Sequence, residues 1–243
     1  MVERSHLLAA LLVLAACDGS PSAPPAPKAC GTYPPWQQSD YLLPYPVGAA
    51  YLVIQGNCSG ASHENALRFA YDFEMPVGTL VTAARGGTVV FVEETFADGD
   101  PEFWHSNVVQ IDHGDGTTAT YAHLTRGGAL VEVGEGVEAG RPIARSGNSG
   151  YTLGVPHLHL DVAPCPTWWT CGTVPVTFHN TDPNPQGLQA GLVYPAYAPG
   201  DGEAAGAGSV ITPPEPSAPA PSPGAGSPSA DGHGVVRSPD LRD

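Results

Sequence analysis

The chain has 243 residues, 24 of them acidic and 9 basic, for a formal charge of −15. That length allows one ordinary domain with appendages, or two small domains. The charge balance argues against a nucleic-acid binder, which needs a basic footprint for phosphate; acidity by itself confers solubility.

In chain order, the first feature is the apolar run Leu7 to Ala16. It is too short for a bilayer-spanning helix, which needs about 20 residues, and it fits the apolar region of a secretory signal. The run ends in Leu14-Ala15-Ala16-Cys17, which resembles a bacterial lipobox. Residues 1–16 are therefore expected to be a lipoprotein signal peptide, with lipid carried on Cys17 and a membrane anchor that does not span. Residues 17–35 are rich in Ser, Pro and Ala and are expected to form a tether. Residues 196–243 are Gly-, Ala-, Ser- and Pro-rich with few large apolar side chains. They cannot bury enough surface to offset ordering entropy, and disorder is expected there.

The globular part is expected over residues 36–195. Candidate strands are Tyr51–Ile54, Arg68–Phe73, Thr88–Glu93, Asn107–Asp112, Thr117–Leu124, Leu130–Val133 and His157–Val162, many of them β-branched or aromatic. No stretch keeps a helical period. His113-Gly114-Asp115-Gly116 reads as a hairpin turn, because Asp-Gly tolerates positive φ. The fold class is all-β, a compact antiparallel barrel or sandwich. Four cysteines remain besides Cys17: Cys30, Cys58, Cys165 and Cys171. In an exported chain they suggest two disulfides, with three pairings open. Cys165 and Cys171 could close a short loop, which would leave Cys30 for Cys58. A zinc cluster of these cysteines lacks any C-x-x-C spacing.

Chemistry concentrates in three places. In Pro156-His157-Leu158-His159-Leu160, strand alternation puts both histidines on one face and the leucines in the core. In Thr120-Tyr121-Ala122-His123-Leu124 the same alternation places Tyr121 and His123 together. Upstream, His63 follows Gly60 at a turn-like entry, and Asp72 lies between Tyr71 and Phe73, facing away from both. Singly, such residues are usually structural. Together, two histidines, a carboxylate and a water form a common catalytic zinc set. The helical H-E-x-x-H pattern is absent, since Leu67 stands where the second histidine would be. The ligands must therefore come from strands and loops.

The stretches Ser62-His63, Ala70 to Thr79, Tyr121-Ala122-His123-Leu124, Ser146 to Gly150 and His157-Leu158-His159 resemble, in this order, the lysostaphin-type zinc endopeptidases (metallopeptidase family 23, LytM-like). The resemblance covers roughly residues 55–162. It implies a LytM-like, duplicated-hybrid-motif fold and one Zn2+ held by His63, Asp72 and His159. His123 and His157 would be the catalytic histidines. Many members space the first histidine and the aspartate more closely than the nine positions found here (72 − 63). The implied substrate is the peptide part of peptidoglycan. The expected location is the cell envelope, as an exported lipoprotein facing the periplasm, or outside the cell if the lipobox is not used, and a monomer is expected.

Three other functions compete with this reading. A non-catalytic LytM-like wall binder or amidase activator would typically lack a ligand, whereas all five positions are filled. The V-x-V-G-x-x-V-x-x-G rhythm of Val131 to Gly140 resembles biotinyl and lipoyl carriers, but the single lysine, Lys28, lies in the tether. A sugar-transport phosphocarrier with paired histidines would be cytoplasmic, against the export signal. His105, His113, His179, His6 and His233 receive structural or no roles. Ser146 to Gly150 is expected to be a tight loop beside the site.

Overall fold

The computed structural model describes residues 30–166 and 171–198. The expected signal peptide, Cys17, most of the tether and most of the tail lie outside these residues. Among the described residues no helix is long and apolar enough to cross a membrane, and there are short 3-10 turns at Trp36–Gln38 and Asn65–Leu67.

Eleven strands are described: β1 Ala50–Gln55, β2 Tyr71–Glu74, β3 Leu80–Thr82, β4 Gly87–Glu93, β5 Val108–Asp112, β6 Thr118–Ala122, β7 Leu124–Ala129, β8 Gly136–Val137, β9 Pro142–Ser146, β10 His157–Ala163 and β11 Val193–Pro195. They form an eight-stranded sheet in the order β11-β1-β2-β10-β6-β5-β4-β8 and a three-stranded sheet in the order β3-β9-β7. Every named pairing is antiparallel. The fold is all-β. Its two sheets share one apolar core, in which Phe73, Val109 and Leu160 of the larger sheet join Val81, Leu124 and Ile143 of the smaller one.

Alternation explains the core. On β10, Leu158, Leu160 and Val162 are fully buried, and on β2 Tyr71 and Phe73 flank Asp72 in the same way. Burying these faces is the main stabilising contribution, at about 1.5–3 kcal/mol per large side chain. Two disulfides are present, Cys30–Cys58 and Cys165–Cys171. The first lies next to the edge-on ring contact of Tyr33 with Phe69, so residues 30–35, the end of the expected tether, lie against the domain.

Several expected boundaries differ. The strand expected from Arg68 starts at Tyr71, because the chain is still turning: Ala70 N–H donates to Leu67 O. Leu130–Val133 is not a strand. Its alternating valines suggested one, but ladder pairing with β9 ends at Ala129, and a turn follows in which Glu135 N–H donates to Glu132 O. The strands β3, β7, β8, β9 and β11 have no counterpart among those expected; they are short or contain Pro or Gly, which obscures a period.

The strand expected through Thr117–Leu124 breaks at His123, which takes φ +60. This overturns the shared face of Tyr121 and His123. Tyr121 is fully buried in the core, its hydroxyl accepting Ala84 N–H at 2.7 Å, while His123 lines a cleft on the opposite side. A left-handed residue resets the two-residue period.

Candidate metal centre and catalytic cleft

The sheet register builds the site. Cα partners align Gln55, Asp72, His159, Ala122, Val108 and Glu93 in one row across β1, β2, β10, β6, β5 and β4. The adjacent row aligns Asp161, Thr120, Gln110 and Phe91. All ten residues line one cleft of about 780 Å3. The walls come from two loops, one carrying Phe96, Phe103 and Trp104, the other carrying Tyr151 and Leu153. Among the described residues no lysine or arginine lines it.

Asp72 and His159 line the cleft and fully buried His63 meets them, the three with their ligand atoms within 4.8 Å of one another. His63 reaches them from a loop bent by positive φ at Cys58, Gly60 and Ala61 and closed by His63 N–H on Gly60 O. Its Nδ1 is 3.1 Å from Gly56 O. A carbonyl only accepts, so Nδ1 carries the hydrogen and Nε2 keeps a bare lone pair. That Nε2 is fully buried without a hydrogen-bond partner, 3.2 Å from Asp72 Oδ2. Two acceptors face each other across this gap, an arrangement that a cation between them would satisfy. Asp72 Oδ1 lies 2.8 Å from His159 Nδ1, and Gln55 Nε2 donates to Asp72 Oδ2 at 2.9 Å. Burial by itself would raise the Asp72 carboxyl, but the neighbouring imidazole of His159, above all, holds it well below the usual carboxylate range. Two imidazole nitrogens and one carboxylate are a donor set that catalytic zinc takes, with a further position for water. The residues present fit that ion.

His123 and His157 stand beside this trio, their rings 4.6 Å apart. His123 Nδ1–H donates to Ser149 O at 2.7 Å, and His157 Nδ1–H donates to Val155 O at 2.7 Å. Each therefore keeps its lone pair on Nε2. For His157 that nitrogen is 3.8 Å from Asp72 Oδ1. Burial, then the neighbouring His157 and His159, push His123 down to about 3. Burial also lowers His157. Both are neutral bases at pH 7.

Three supporting residues carry no obvious sequence signal. Asn107, fully buried, receives Phe96 N–H on Oδ1 and donates through Nδ2 to Phe96 O and Leu124 O. Ser149 Oγ donates to Leu124 O and accepts Asn107 N–H. Ser106 Oγ accepts His123 N–H at 3.0 Å. Asp161 is different: it stands two residues beyond His159, so strand alternation places it on the same face, and that signal was there to be read. The other described histidines bond elsewhere, His113 to Gly86 O, His179 to Ser39 O and His105 to Asp100.

Residues 67–166 match the sequence model of Peptidase family M23. Peptidoglycan DD-endopeptidase ShyA of Vibrio cholerae is 37% identical over 91 residues, covering 37% of this chain and 19% of that protein. An uncharacterized metalloprotease of Haemophilus influenzae is 38% identical over 90 residues, covering 37% and 17%. The chain thus spans about a fifth of the length of these relatives. Among solved structures, the catalytic domain of the antimicrobial peptidase lysostaphin from Staphylococcus simulans aligns with TM-score 0.37 and 27% identity, over 55% of this chain and 84% of that one. A zinc-containing peptidase from Vibrio cholerae aligns with TM-score 0.38 and 28% identity, over 51% and 37%.

Proposed function

We propose that this chain, which carries a domain of peptidase family M23, is a zinc-dependent endopeptidase that hydrolyses peptide crosslinks of bacterial peptidoglycan. The observation that carries this reading is the buried meeting of His63, Asp72 and His159 beneath a cleft that also holds two neutral histidines. The name of the Vibrio relative, a peptidoglycan DD-endopeptidase, supports the substrate.

His63, Asp72 and His159 would hold the ion. Zinc in such a site supplies Lewis acidity, polarising a carbonyl and lowering the pKa of water. The remaining work falls to the chain. His123 and His157, each with its hydrogen pinned on Nδ1 by a backbone carbonyl, present Nε2 as proton acceptors. Burial and the neighbouring His157 and His159 keep His123 neutral, with Nε2 free to accept a proton. The cleft walls of Phe96, Trp104, Tyr151 and Leu153 seat an uncharged stretch of peptide and limit water. The envelope location, with lipid on Cys17 as a membrane anchor, belongs to the same proposal. Fractionation of wild type against Cys17→Ser tests it, with a soluble wild type rejecting the anchor.

The test of activity is digestion of purified peptidoglycan, with mass spectrometry of the new termini. Wild type should hold about one zinc per chain and lose activity with a chelator. His159→Ala should lose the metal. His123→Ala and His157→Ala should keep it and lose turnover, because acid–base residues act on the reaction rather than on metal affinity. Full metal and activity in His159→Ala would refute the ligand assignment. Wall binding by a zinc-loaded wild type without cleavage would favour the non-catalytic reading.

A further inference from the structure

Four histidines meet at this centre, and three are oriented alike. His63, His123 and His157 each give Nδ1–H to a backbone carbonyl, those of Gly56, Ser149 and Val155. His159 departs from the pattern. Its two nitrogens face two carboxylates: Nδ1 lies 2.8 Å from Asp72 Oδ1, and Nε2 lies 3.2 Å from Asp161 Oδ2.

Asp161 is 1% exposed, and its Oδ1 has no hydrogen-bond partner among the described residues. Its cross-strand neighbours do not supply one. Thr120 Oγ1 accepts Gln110 Nε2–H, and that amide also donates to Pro166 O. Burying a carboxylate this sparsely bonded is costly, and packing would be served as well by an apolar side chain of similar size. What the carboxylate adds is the contact with His159 Nε2.

That contact decides a competition. With a cation on one ring nitrogen, the imidazole of His159 is neutral and has one hydrogen to place. Beside Asp72 alone, the hydrogen of His159 would settle on Nδ1 and bond Asp72 Oδ1. Both atoms would then be lost as metal donors. A second acceptor at Nε2 draws the hydrogen to the far side of the ring and leaves the Nδ1 lone pair facing Asp72 and His63. We propose that Asp161 is the positioning carboxylate of this centre, accepting the Nε2 hydrogen of His159 so that Nδ1 is the ligand atom. The inference rests on the reading of His63, Asp72 and His159 as a metal site.

Two substitutions of similar shape separate hydrogen bonding from packing. Asp161→Asn keeps an acceptor for Nε2–H, whereas Asp161→Leu keeps only bulk. Zinc affinity is measured on the full chain by competition with a chromophoric chelator, after circular dichroism of the metal-free variants. The ring nitrogens of His159 are followed by long-range proton–nitrogen NMR of the zinc-loaded protein. Asp161→Leu should bind zinc about 10–100-fold more weakly than wild type, with Asp161→Asn falling between them. The wild-type spectrum should show hydrogen on Nε2 and none on Nδ1. An Asp161→Leu protein that folds and binds zinc within about two-fold of wild type overturns the proposal. If Asp161→Leu does not fold, the NMR spectrum decides: a wild-type His159 with hydrogen on Nδ1 overturns it equally. A wild type that binds no zinc overturns the metal reading itself, while tight wild-type binding that Asp161→Leu leaves undiminished overturns this inference alone.

Discussion

His123 holds a left-handed backbone, φ +60, which for a residue with a Cβ costs on the order of 1–2 kcal/mol. The surroundings offset that cost: Ser106 Oγ takes its N–H, and Ser149 O takes its Nδ1–H. The same packing keeps the ring neutral, down to about 3 against 6.5 when free. Between those pH values the unfolded chain binds a proton that the native state refuses. Stability is therefore undiminished above about pH 6.5 and falls as pH drops toward 3, by at most about 1.4 kcal/mol per pH unit for one proton. His123→Gln removes this proton from the balance. Urea unfolding of the chelator-treated proteins at pH 5 and pH 7 should show wild type losing more stability on acidification than the variant. Equal losses would mean that His123 is not held neutral.

At the scale of elements, the cleft depends on how the loop after β9 seats against β7. A Cβ at Gly147 would overlap Thr125 N and Leu124 C and stand 2.6 Å from Asp98 Oδ1. Asp98 Oδ1 in turn accepts Asn148 N–H at 2.6 Å, tying this loop to the one that carries Phe96. Two residues on, Ser149 bonds both Leu124 and His123. Gly147→Ala must push the loop outward, at about 1–3 kcal/mol by the usual cost of overpacking. It should lower turnover as well, because Ser149 O moves with it. Gly134→Ala is the comparison: its cost comes from a positive φ rather than from overlap, because a Cβ there meets open space in a remote turn. Thermal melts should find both variants destabilised, with peptidoglycan turnover falling only for Gly147→Ala. Full turnover in Gly147→Ala would mean that the loop does not position His123.

Across the whole molecule, the two disulfides differ in what they close. Cys30–Cys58 spans 28 residues and fastens the segment before the domain to the loop that carries His63. Cys165–Cys171 spans six, just beyond β10. Chain-entropy reasoning assigns about 3–4 kcal/mol to the longer closure and about 2 kcal/mol to the shorter. Cys30→Ser with Cys58→Ser should therefore lower the unfolding free energy of the metal-free protein more than Cys165→Ser with Cys171→Ser. Denaturant titration under oxidising conditions makes the comparison. The reverse order would show that strain or residual structure, rather than loop length, sets their worth.

Local pattern was enough for the all-β class, for the core faces of β2 and β10, and for the joint projection of His157 and His159. Each depends on the strict two-residue period of extended chain, which needs no knowledge of neighbours. The same period offered Asp161, two positions past His159. It misplaced His123 beside Tyr121, because one left-handed residue between β6 and β7 reverses the side-chain alternation, and nothing in Tyr-Ala-His-Leu announces that break. It also could not join His63 to Asp72 across nine residues, since their approach depends on the turns at Gly60 and Ala61 and on the hold of Gly56 O on His63. Ser106, Asn107 and Ser149 bond across 11 to 42 positions of chain. Periodicity reports which way a side chain points along its own strand; which groups it meets is decided by strand order and register, set by burial of the whole core at once.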